Sequence, residues 1–354
     1  MAKVLVKGNE ALAEAAIRSG CRLFFGYPIT PQTEVSAYMA KKMPKIGGTF
    51  LQAESEVAAI NMVYGAGGAG KRVMTSSSSP GISLKQEGLS YIAGANVPCV
   101  VVNIVRGGPG LGGIQPAQSD YFQAVKGGGH GDYRIIVLAP SSIQEMVDLT
   151  SDAFNLADEY RMPVMIMGDG MLGQMMEPVE FPEEDENAVY AEKGWAACGT
   201  QMKRKHNIIN SLYINAKDLE DTIIERQKRY DIIEQNEVRY EEEGTSDADI
   251  VLVAYGTTAR IAKTAMAKAR AKGIKVGLIR PITLWPFPSK VFESVADGKK
   301  KFLSVEMSTG QMVEDVKLAV NGRGEVHFFG RTGGIVPTPS EILDKIEKLN
   351  GGAF

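Results

Sequence analysis

Four stretches of this sequence place reactive side chains where an ordinary loop would not need them. Thr30 stands between two prolines in "YPITP", and Glu56 lies in "AESEVAA". A hydroxyl run, "TSSSSPG", contains Ser79, and Arg106 directly follows the apolar run "PCVVVNIV". A carboxylate can hold or move a proton, and a guanidinium fork fits two oxygens. Hydroxyls that feed a helix N-terminus suit an anion. Each stretch also has a plainer account. Ser55 reads equally as a helix N-cap with Glu56 in the first turn, where an acid complements the macrodipole. The serine run serves as well as a plain loop into a helix. A charge after a buried strand can be an ordinary ion-pair partner. What weakens these accounts jointly is that all four stretches follow a short apolar run.

The elements that position them alternate regularly. Up to about residue 180, strand-like runs "RLFFG", "GTFLQ", "RVMTS", "PCVVVNIV", "RIIVLA" and "PVMIMG" are separated by helical patterns. Those patterns fall near 8–19, 31–42, 55–67, 82–93 and 141–158. The alternation predicts a parallel sheet with helices on both faces, and continuous apolar strands fit a sheet buried on both sides. In such sheets ligands sit outside the carboxyl ends of the strands, which is where the four stretches fall. Pro28 and Pro31 bias Tyr27 and Thr30 toward extended geometry, and Pro31 is expected in the first turn of the next helix.

Residues 181–247 break the pattern. They are charged and irregular, with a helical stretch at about 216–243 whose Ile223, Ile224, Tyr230, Ile233 and Tyr240 suggest one narrow packing face. The stretch is expected to be a largely exposed connector, free to lie on a partner. From 248 the alternation resumes to the end. The expected organisation is therefore two doubly wound α/β domains, 1–180 and 248–354, joined by a charged helical connector over 181–247.

Three glycine patterns point elsewhere and fail on context. "GAGGAGK" has a phosphate-loop spacing, but Arg72 replaces the required hydroxyl residue, and a helix precedes it where a strand should. It is expected to end a helix. "GPGLGG" has a dinucleotide-fingerprint spacing, but "IQPAQSD" follows where a helix should start, so a flexible loop is expected. "GDG" at 168–170 invites a magnesium site, yet the paired downstream asparagine is missing, so Asp169 is expected to cap the next turn.

Composition sets outer bounds. A formal charge of −3 over 354 residues argues against a nucleic-acid footprint. The three cysteines, Cys21, Cys99 and Cys198, lie too far apart for a zinc or iron–sulfur spacing or a disulfide framework, and no metal ligands are assigned. "MAKVLVKGNEALAEAA" lacks a signal-peptide core, and no apolar run approaches membrane-spanning length, which predicts a cytoplasmic location without membrane contact.

Taken in order, "GYPITPQTE", "LQAESEVAAINMVYGAGGAG", "TSSSSPGISLKQEG", "VNIVRGGPG" and "QSDYFQAVKGGGHGDYR" resemble the α subunits of 2-oxoacid:ferredoxin oxidoreductases. More narrowly they resemble the branched-chain type, which acts on 3-methyl-2-oxobutanoate. The resemblance runs on through "GDGMLGQMMEPVEF", "YGTTARIA" and "LIRPITLWPFP", nearly the whole chain. It implies a thiamine-diphosphate pyrimidine-binding domain followed by a transketolase C-terminal-like domain. It implies catalytic roles for Glu56, Arg106 and Thr30: Glu56 hydrogen-bonds the cofactor aminopyrimidine, Arg106 faces the substrate carboxylate, and Thr30 faces the substrate. Glu56, Ser79 and Pro28 would hold the cofactor. Glu54, two residues from Glu56, competes for the same role. The resemblance further implies coenzyme A as co-substrate, and a β subunit that carries the diphosphate site and magnesium. Small γ and ferredoxin-like δ subunits with iron–sulfur clusters, and ferredoxin as acceptor, would complete the enzyme. The same chemistry on 2-oxoglutarate or pyruvate, and a nucleotide-binding α/β protein, are the alternatives.

Overall fold

The computed structural model describes residues 3–352. The chain begins β1 (Val4–Lys7), α1 (Gly8–Arg18), β2 (Leu23–Gly26), α2 (Thr33–Lys42), β3 (Thr49–Gln52), α3 (Glu56–Gly68), β4 (Val73–Ser77) and α4 (Ser79–Gly94). It continues β5 (Cys99–Val105), α5 (Tyr121–Val125), β6 (Ile136–Leu138), α6 (Ile143–Tyr160), β7 (Pro163–Asp169), α7 (Gly170–Gln174) and β8 (Met176–Val179). Then follow α8 (Glu186–Tyr190), α9 (Ala216–Asn236), β9 (Tyr240–Glu243), β10 (Ile250–Val253), α10 (Gly256–Ala271), β11 (Val276–Pro281) and β12 (Thr283–Trp285). The last elements are α11 (Ser289–Val295), β13 (Lys301–Glu306), α12 (Met312–Val320), β14 (Glu325–Gly330) and α13 (Pro339–Asn350).

Two mostly parallel sheets carry the fold. The seven-stranded sheet has the order β12-β6-β7-β5-β4-β2-β3, and the five-stranded sheet β14-β13-β10-β11-β9. Strands β5 and β7 are buried along their whole length, as expected for strands covered on both faces. The helices start where polar caps allow: the Ser55 hydroxyl accepts from the Ala58 N–H, Ser142 from Glu145, and Thr338 with Glu341 forms a reciprocal capping box. The apolar faces so oriented meet in a core that includes Phe24, Met74, Val101, Ile166 and Phe154.

The sheets are not purely parallel, because each end borrows a strand. β9, within the stretch expected to be helical to 243, instead pairs antiparallel with β11, and β12 pairs antiparallel with β6 in the other sheet. β1 and β8 form an antiparallel pair that the sequence pattern did not suggest. Tyr240 therefore lies on an edge strand and not on the helix, and Ile224 is 46% exposed. The narrow face of α9 is made instead by Arg226, Tyr230 and Ile233, and it packs on this chain's own first sheet region. There Arg226 donates to the Gly94 carbonyl, and the Tyr230 ring meets Trp285 edge-on at 5.5 Å. Helix α2 also starts later than expected. Gln32 is its N-cap, so Pro31 lies outside the first turn, behind a cis Thr30–Pro31 peptide. Tertiary bonds hold this turn open: Asn9 Nδ2 donates to the Pro31 carbonyl, and buried Gln32 spends its amide on neighbours.

The two sheet regions are stitched by polar groups with complete partner sets. Gln118 donates to the Tyr255 carbonyl and accepts from Met307 N–H and Thr258 Oγ1. Arg280, 3% exposed, forks onto Glu145 and gives its Nε to Glu241. Carboxylates on every nitrogen offset the cost of taking this guanidinium out of water.

Candidate functional site

The chain runs outward from β2 to β3, then reverses to β4 and β5, so a topological switch point lies between β2 and β4. The β2–β4 ladder pairs only Leu23 with Val73 and Phe24 with Met74. Beyond that the β2–β4 ladder ends, which is where an open α/β sheet offers a crevice at the carboxyl ends of its strands. Thr30 follows β2, Glu56 follows β3, Ser79 follows β4 and Arg106 follows β5.

Glu56 opens α3 and is 5% exposed, whereas Glu54 is exposed. Ser55 caps the helix, so the plain account of that serine holds, but it leaves the neighbouring carboxylate unexplained. Among the described residues no donor hydrogen-bonds to the Glu56 carboxylate. Its Oε1 lies against Gly81: a Cβ there would approach it to 2.5 Å and would also collide with the Ser77 hydroxyl. The buried hydroxyls of Ser77 and Ser78 have no hydrogen-bond partner either. Buried polar atoms are paired in the great majority, so the unpartnered Ser77 hydroxyl and the Glu56 carboxylate beside one glycine form a place that suits a polar guest.

Behind this cluster sits Lys85, fully buried on α4. Its Nζ donates to Thr75 Oγ1 at 2.7 Å and to the Ser76 carbonyl at 3.1 Å. Burial pulls its pKa down to about 7, and the Glu56 charge opposes that fall.

Arg106, 6% exposed, reaches back across the crevice. Nη1 donates to the Thr30 carbonyl at 2.9 Å and Nη2 to the Leu111 carbonyl at 3.0 Å, while its buried Nε has no partner. Thr30 and Pro28 are exposed, at the crevice side of their turn. Ser79 is tied into the same corner: its hydroxyl accepts from Arg106 N–H at 3.1 Å and donates to Asp120 Oδ2 at 2.7 Å. All five residues expected from the sequence thus lie along one sheet edge, with Arg106 bonded directly to Thr30 and Ser79.

Three further residues complete the corner and were missed. Asp120 also accepts from Asn103 Nδ2, and burial raises its carboxyl above the ordinary value while those hydrogen bonds oppose the rise. Asn103 had a visible signal, being the one polar residue in "CVVVNIV". Lys85 had a weaker one, its spacing of four from Gly81 on one helix face. Asp120 had none, since its partners come from two other elements.

The misleading glycine patterns resolve as their contexts suggested. Helix α3 ends at Gly68 with Ala69 as its C-cap, and a strand follows. Residues 108–115 form an exposed loop that returns as an Arg106–Pro116 bridge. Asp169 caps α7 by accepting from the Met171 and Leu172 N–H groups.

Residues 14–243 match the family described as pyruvate flavodoxin/ferredoxin oxidoreductase, thiamine diphosphate-binding, and residues 248–342 match pyruvate:ferredoxin oxidoreductase core domain II. Over 99% of both chains the sequence is 54% identical to ketoisovalerate oxidoreductase subunit VorB of Methanothermobacter marburgensis. It is 37% identical, over 98% of both chains, to 2-oxoglutarate synthase subunit KorA of Methanothermobacter thermautotrophicus. Among solved structures it resembles the 2-oxoglutarate:ferredoxin oxidoreductase of Magnetococcus marinus, with a TM-score of 0.86 and 29% identity. That structure was solved with 2-oxoglutarate, coenzyme A and succinyl-CoA bound; the match covers 98% of this chain and 65% of that one. A split-gene transketolase shares the fold, with a TM-score of 0.60 at 12% identity over 97% of each chain.

Proposed function

The chain belongs to the pyruvate flavodoxin/ferredoxin oxidoreductase family, and from that premise we propose how it works as a subunit of a branched-chain 2-oxoacid:ferredoxin oxidoreductase. Such an enzyme converts 3-methyl-2-oxobutanoate and coenzyme A to acyl-CoA and carbon dioxide, with reduction of ferredoxin. The branched-chain assignment follows the full-length likeness to ketoisovalerate oxidoreductase subunits; the 2-oxoglutarate relatives are less similar.

One observation carries the site assignment: a buried, unpartnered Glu56 carboxylate faces the same opened strand edge as the Arg106–Thr30 pair. The residues fit an aminopyrimidine. Glu56 offers an acceptor for a ring-nitrogen proton, Ser77 and Ser78 offer unused hydroxyls, and Gly81 leaves the room that a side chain would fill. Pro28 and Ser79 would border the group on either side. When bound, thiamine diphosphate supplies a carbon nucleophile for the 2-oxo carbon and accepts the electron pair released as carbon dioxide leaves.

The chain's own residues then have separable tasks. Glu56, out of water, holds a proton at the ring nitrogen through a charge-assisted bond that a dry site strengthens. Arg106 receives the substrate carboxylate by giving up the Leu111 carbonyl, which lies on the exposed glycine loop, while it keeps the Thr30 carbonyl as a fixed hinge. Thr30 presents its hydroxyl from a turn already stiffened by Pro28 and Pro31, so little ordering entropy is lost on binding. Arg106 must not hold the carboxylate too tightly, since uniform ground-state binding does not accelerate decarboxylation.

We further propose that a β subunit holds the diphosphate and magnesium, and that γ and δ subunits hold the iron–sulfur clusters. The relatives are each named as one subunit of their enzyme, which supports the presence of partner subunits. The pyrimidine-binding task is assigned to 1–180, and the transketolase C-terminal-like unit to 248–354, with 181–247 joining them. Among the described residues no helix is long and apolar enough to cross a membrane. Affinity purification of the tagged chain from its native host, followed by assay of several 2-oxoacids with coenzyme A and a viologen acceptor, tests the whole reading. Turnover fastest on 3-methyl-2-oxobutanoate supports it. A complex that turns over 2-oxoglutarate alone overturns the substrate, and one without any 2-oxoacid activity overturns the function.

A further inference from the structure

We propose that Asp120 is a positioning residue for Arg106, acting through Ser79, and that Gln311 of the second sheet region frees it for that task. The inference rests on the function proposed above and adds two residues to it.

Asp120 stands at the N-cap of α5, where an aspartate ordinarily accepts from an N–H of its own first turn. It makes no such bond. The Phe122 N–H, the second of that turn, donates instead to Gln311 Oε1 at 2.8 Å, and Gln311 Nε2 donates to the Ser119 carbonyl at 2.8 Å. Gln311 itself precedes α12. A side chain from the other sheet region therefore caps α5 and brackets Asp120 on both sides. The carboxylate is left to turn toward β4 and β5. Its Oδ2 gathers the Ser79 hydroxyl at 2.7 Å and Asn103 Nδ2 at 2.9 Å. Buried Asn103 closes the ring, because its Oδ1 accepts from the Ser79 N–H at 3.2 Å.

Ser79 has one hydroxyl proton and more than one acceptor for it. Its Oγ lies 3.1 Å from both the nitrogen and the carbonyl oxygen of Arg106. Asp120 takes the proton, since a carboxylate is the stronger acceptor and is nearer, and the lone pairs of Oγ are left facing the Arg106 N–H. The main chain of Arg106 is thereby pinned where it leaves β5. Its guanidinium reaches the Thr30 carbonyl at 2.9 Å and the Leu111 carbonyl at 3.0 Å. Exchanging the second of these for a substrate carboxylate requires a fork that turns about a fixed main chain. Misplacing such a group by about 1 Å costs on the order of 10²-fold in rate. The competing account is a staple that only holds α4, β5 and α5 together. A staple would lower stability and leave substrate binding by the folded molecules untouched.

The test uses the reconstituted multi-subunit enzyme with Asp120→Ala, Asp120→Asn, Gln311→Leu and Arg106→Ala, each checked for folding by thermal melting. Asp120→Ala should raise KM for 3-methyl-2-oxobutanoate by about 10-fold, the worth of one hydrogen bond, with a smaller fall in kcat. Asp120→Asn keeps an acceptor for Ser79 and Asn103 and should recover most of that loss. Gln311→Leu leaves every residue of the corner in place and should raise the same KM by about 3-fold. In an Arg106→Ala background, Asp120→Ala should change kcat/KM by less than about 2-fold, because two residues that act as a unit are not additive. A lowered melting temperature with KM unmoved in Asp120→Ala overturns the proposal and leaves the function standing. So do equal losses in the two Arg106 backgrounds. An unmoved KM in Gln311→Leu overturns the task given to Gln311. Arg106→Ala with unchanged kcat/KM overturns the site assignment on which the proposal rests. Should Asp120→Ala fail to fold, Gln311→Leu in the two Arg106 backgrounds carries the comparison.

Discussion

Each sheet region buries a glutamate near a strand end, and the two are treated oppositely. Glu306, at the end of β13, is 0% exposed and accepts from Ser304 Oγ, Ser308 Oγ and the N–H groups of Gln311, Met312 and Val313. Glu56, at the start of α3, is 5% exposed, and no hydrogen bond reaches its carboxylate among the described residues. The arginines repeat the contrast. Arg280 has carboxylates on all three nitrogens, while Arg106 faces carbonyls and leaves its Nε unpaired. Leaving a buried donor or acceptor unmet costs about 1–3 kcal/mol, more when it is charged. Glu306 and Arg280 avoid that cost, whereas Arg106, Ser77 and Ser78 accept it. The satisfied Arg280 ties the sheet regions together, and in the proposed function the unsatisfied groups at the first edge are left for a guest.

The sharpest way to break this contrast is to neutralise both glutamates. Glu56→Gln should lower kcat by about 10²–10⁴-fold, the usual worth of a positioned acid–base group, while the melting curve barely moves. Glu306→Gln should do the reverse, losing about 3 kcal/mol in denaturant unfolding with turnover per folded molecule intact. If the two phenotypes exchange places, the reading of the two sites is wrong. Next in size, Arg106→Lys keeps the charge but loses the fork. Steady-state kinetics should show KM for the 2-oxoacid raised by about 10- to 100-fold, the worth of one charge-assisted hydrogen bond.

Gly81→Ala probes the space itself. Its Cβ would press on Glu56 Oε1 and the Ser77 hydroxyl, so a stability loss of about 1–3 kcal/mol by chemical denaturation is expected, together with weakened thiamine diphosphate binding. Unchanged binding would show that the glycine makes no room for a ligand. The smallest effect concerns Asp120. Burial holds its folded pKa above 3.8, so the folded chain takes up its proton before the unfolded chain does. That term favours folding as pH falls through the raised value and levels off below 3.8. Asp120→Asn should therefore unfold more readily than wild type by a margin that widens as pH falls across that window, measured by urea melts from pH 7 to 4. A margin independent of pH would refute the assignment.

The sequence was informative wherever the signal was local. Apolar runs bounded by turn residues gave β2, β4, β5 and β7 within a residue or two, and Ser55 and Asp169 announced their caps, because propensity and capping act over a few neighbours. Edge strands were harder. "YEEE" reads as part of a charged helix and becomes β9 only because β11 offers a partner, and "TLW" leaves its own sheet to close the edge at β6. Likewise α9 buries Arg226, which no polarity pattern would place inward, because the Gly94 carbonyl is there to receive it.

At the site, the amino-acid order alone determined that a hydroxyl, a carboxylate, a serine run and a guanidinium each follow a strand, and parallel topology obliges those strand ends to share one side. It could not choose between Glu54 and Glu56. What distinguishes the two is the packing of α3 and α4, which sets the Glu56 carboxylate against Gly81 and leaves Glu54 exposed. Packing likewise brings Lys85, Asn103 and Asp120 beside the candidate residues. Burial and pairing belong to the assembled neighbourhood, and a residue's chemical character is set by what surrounds it as much as by what it is.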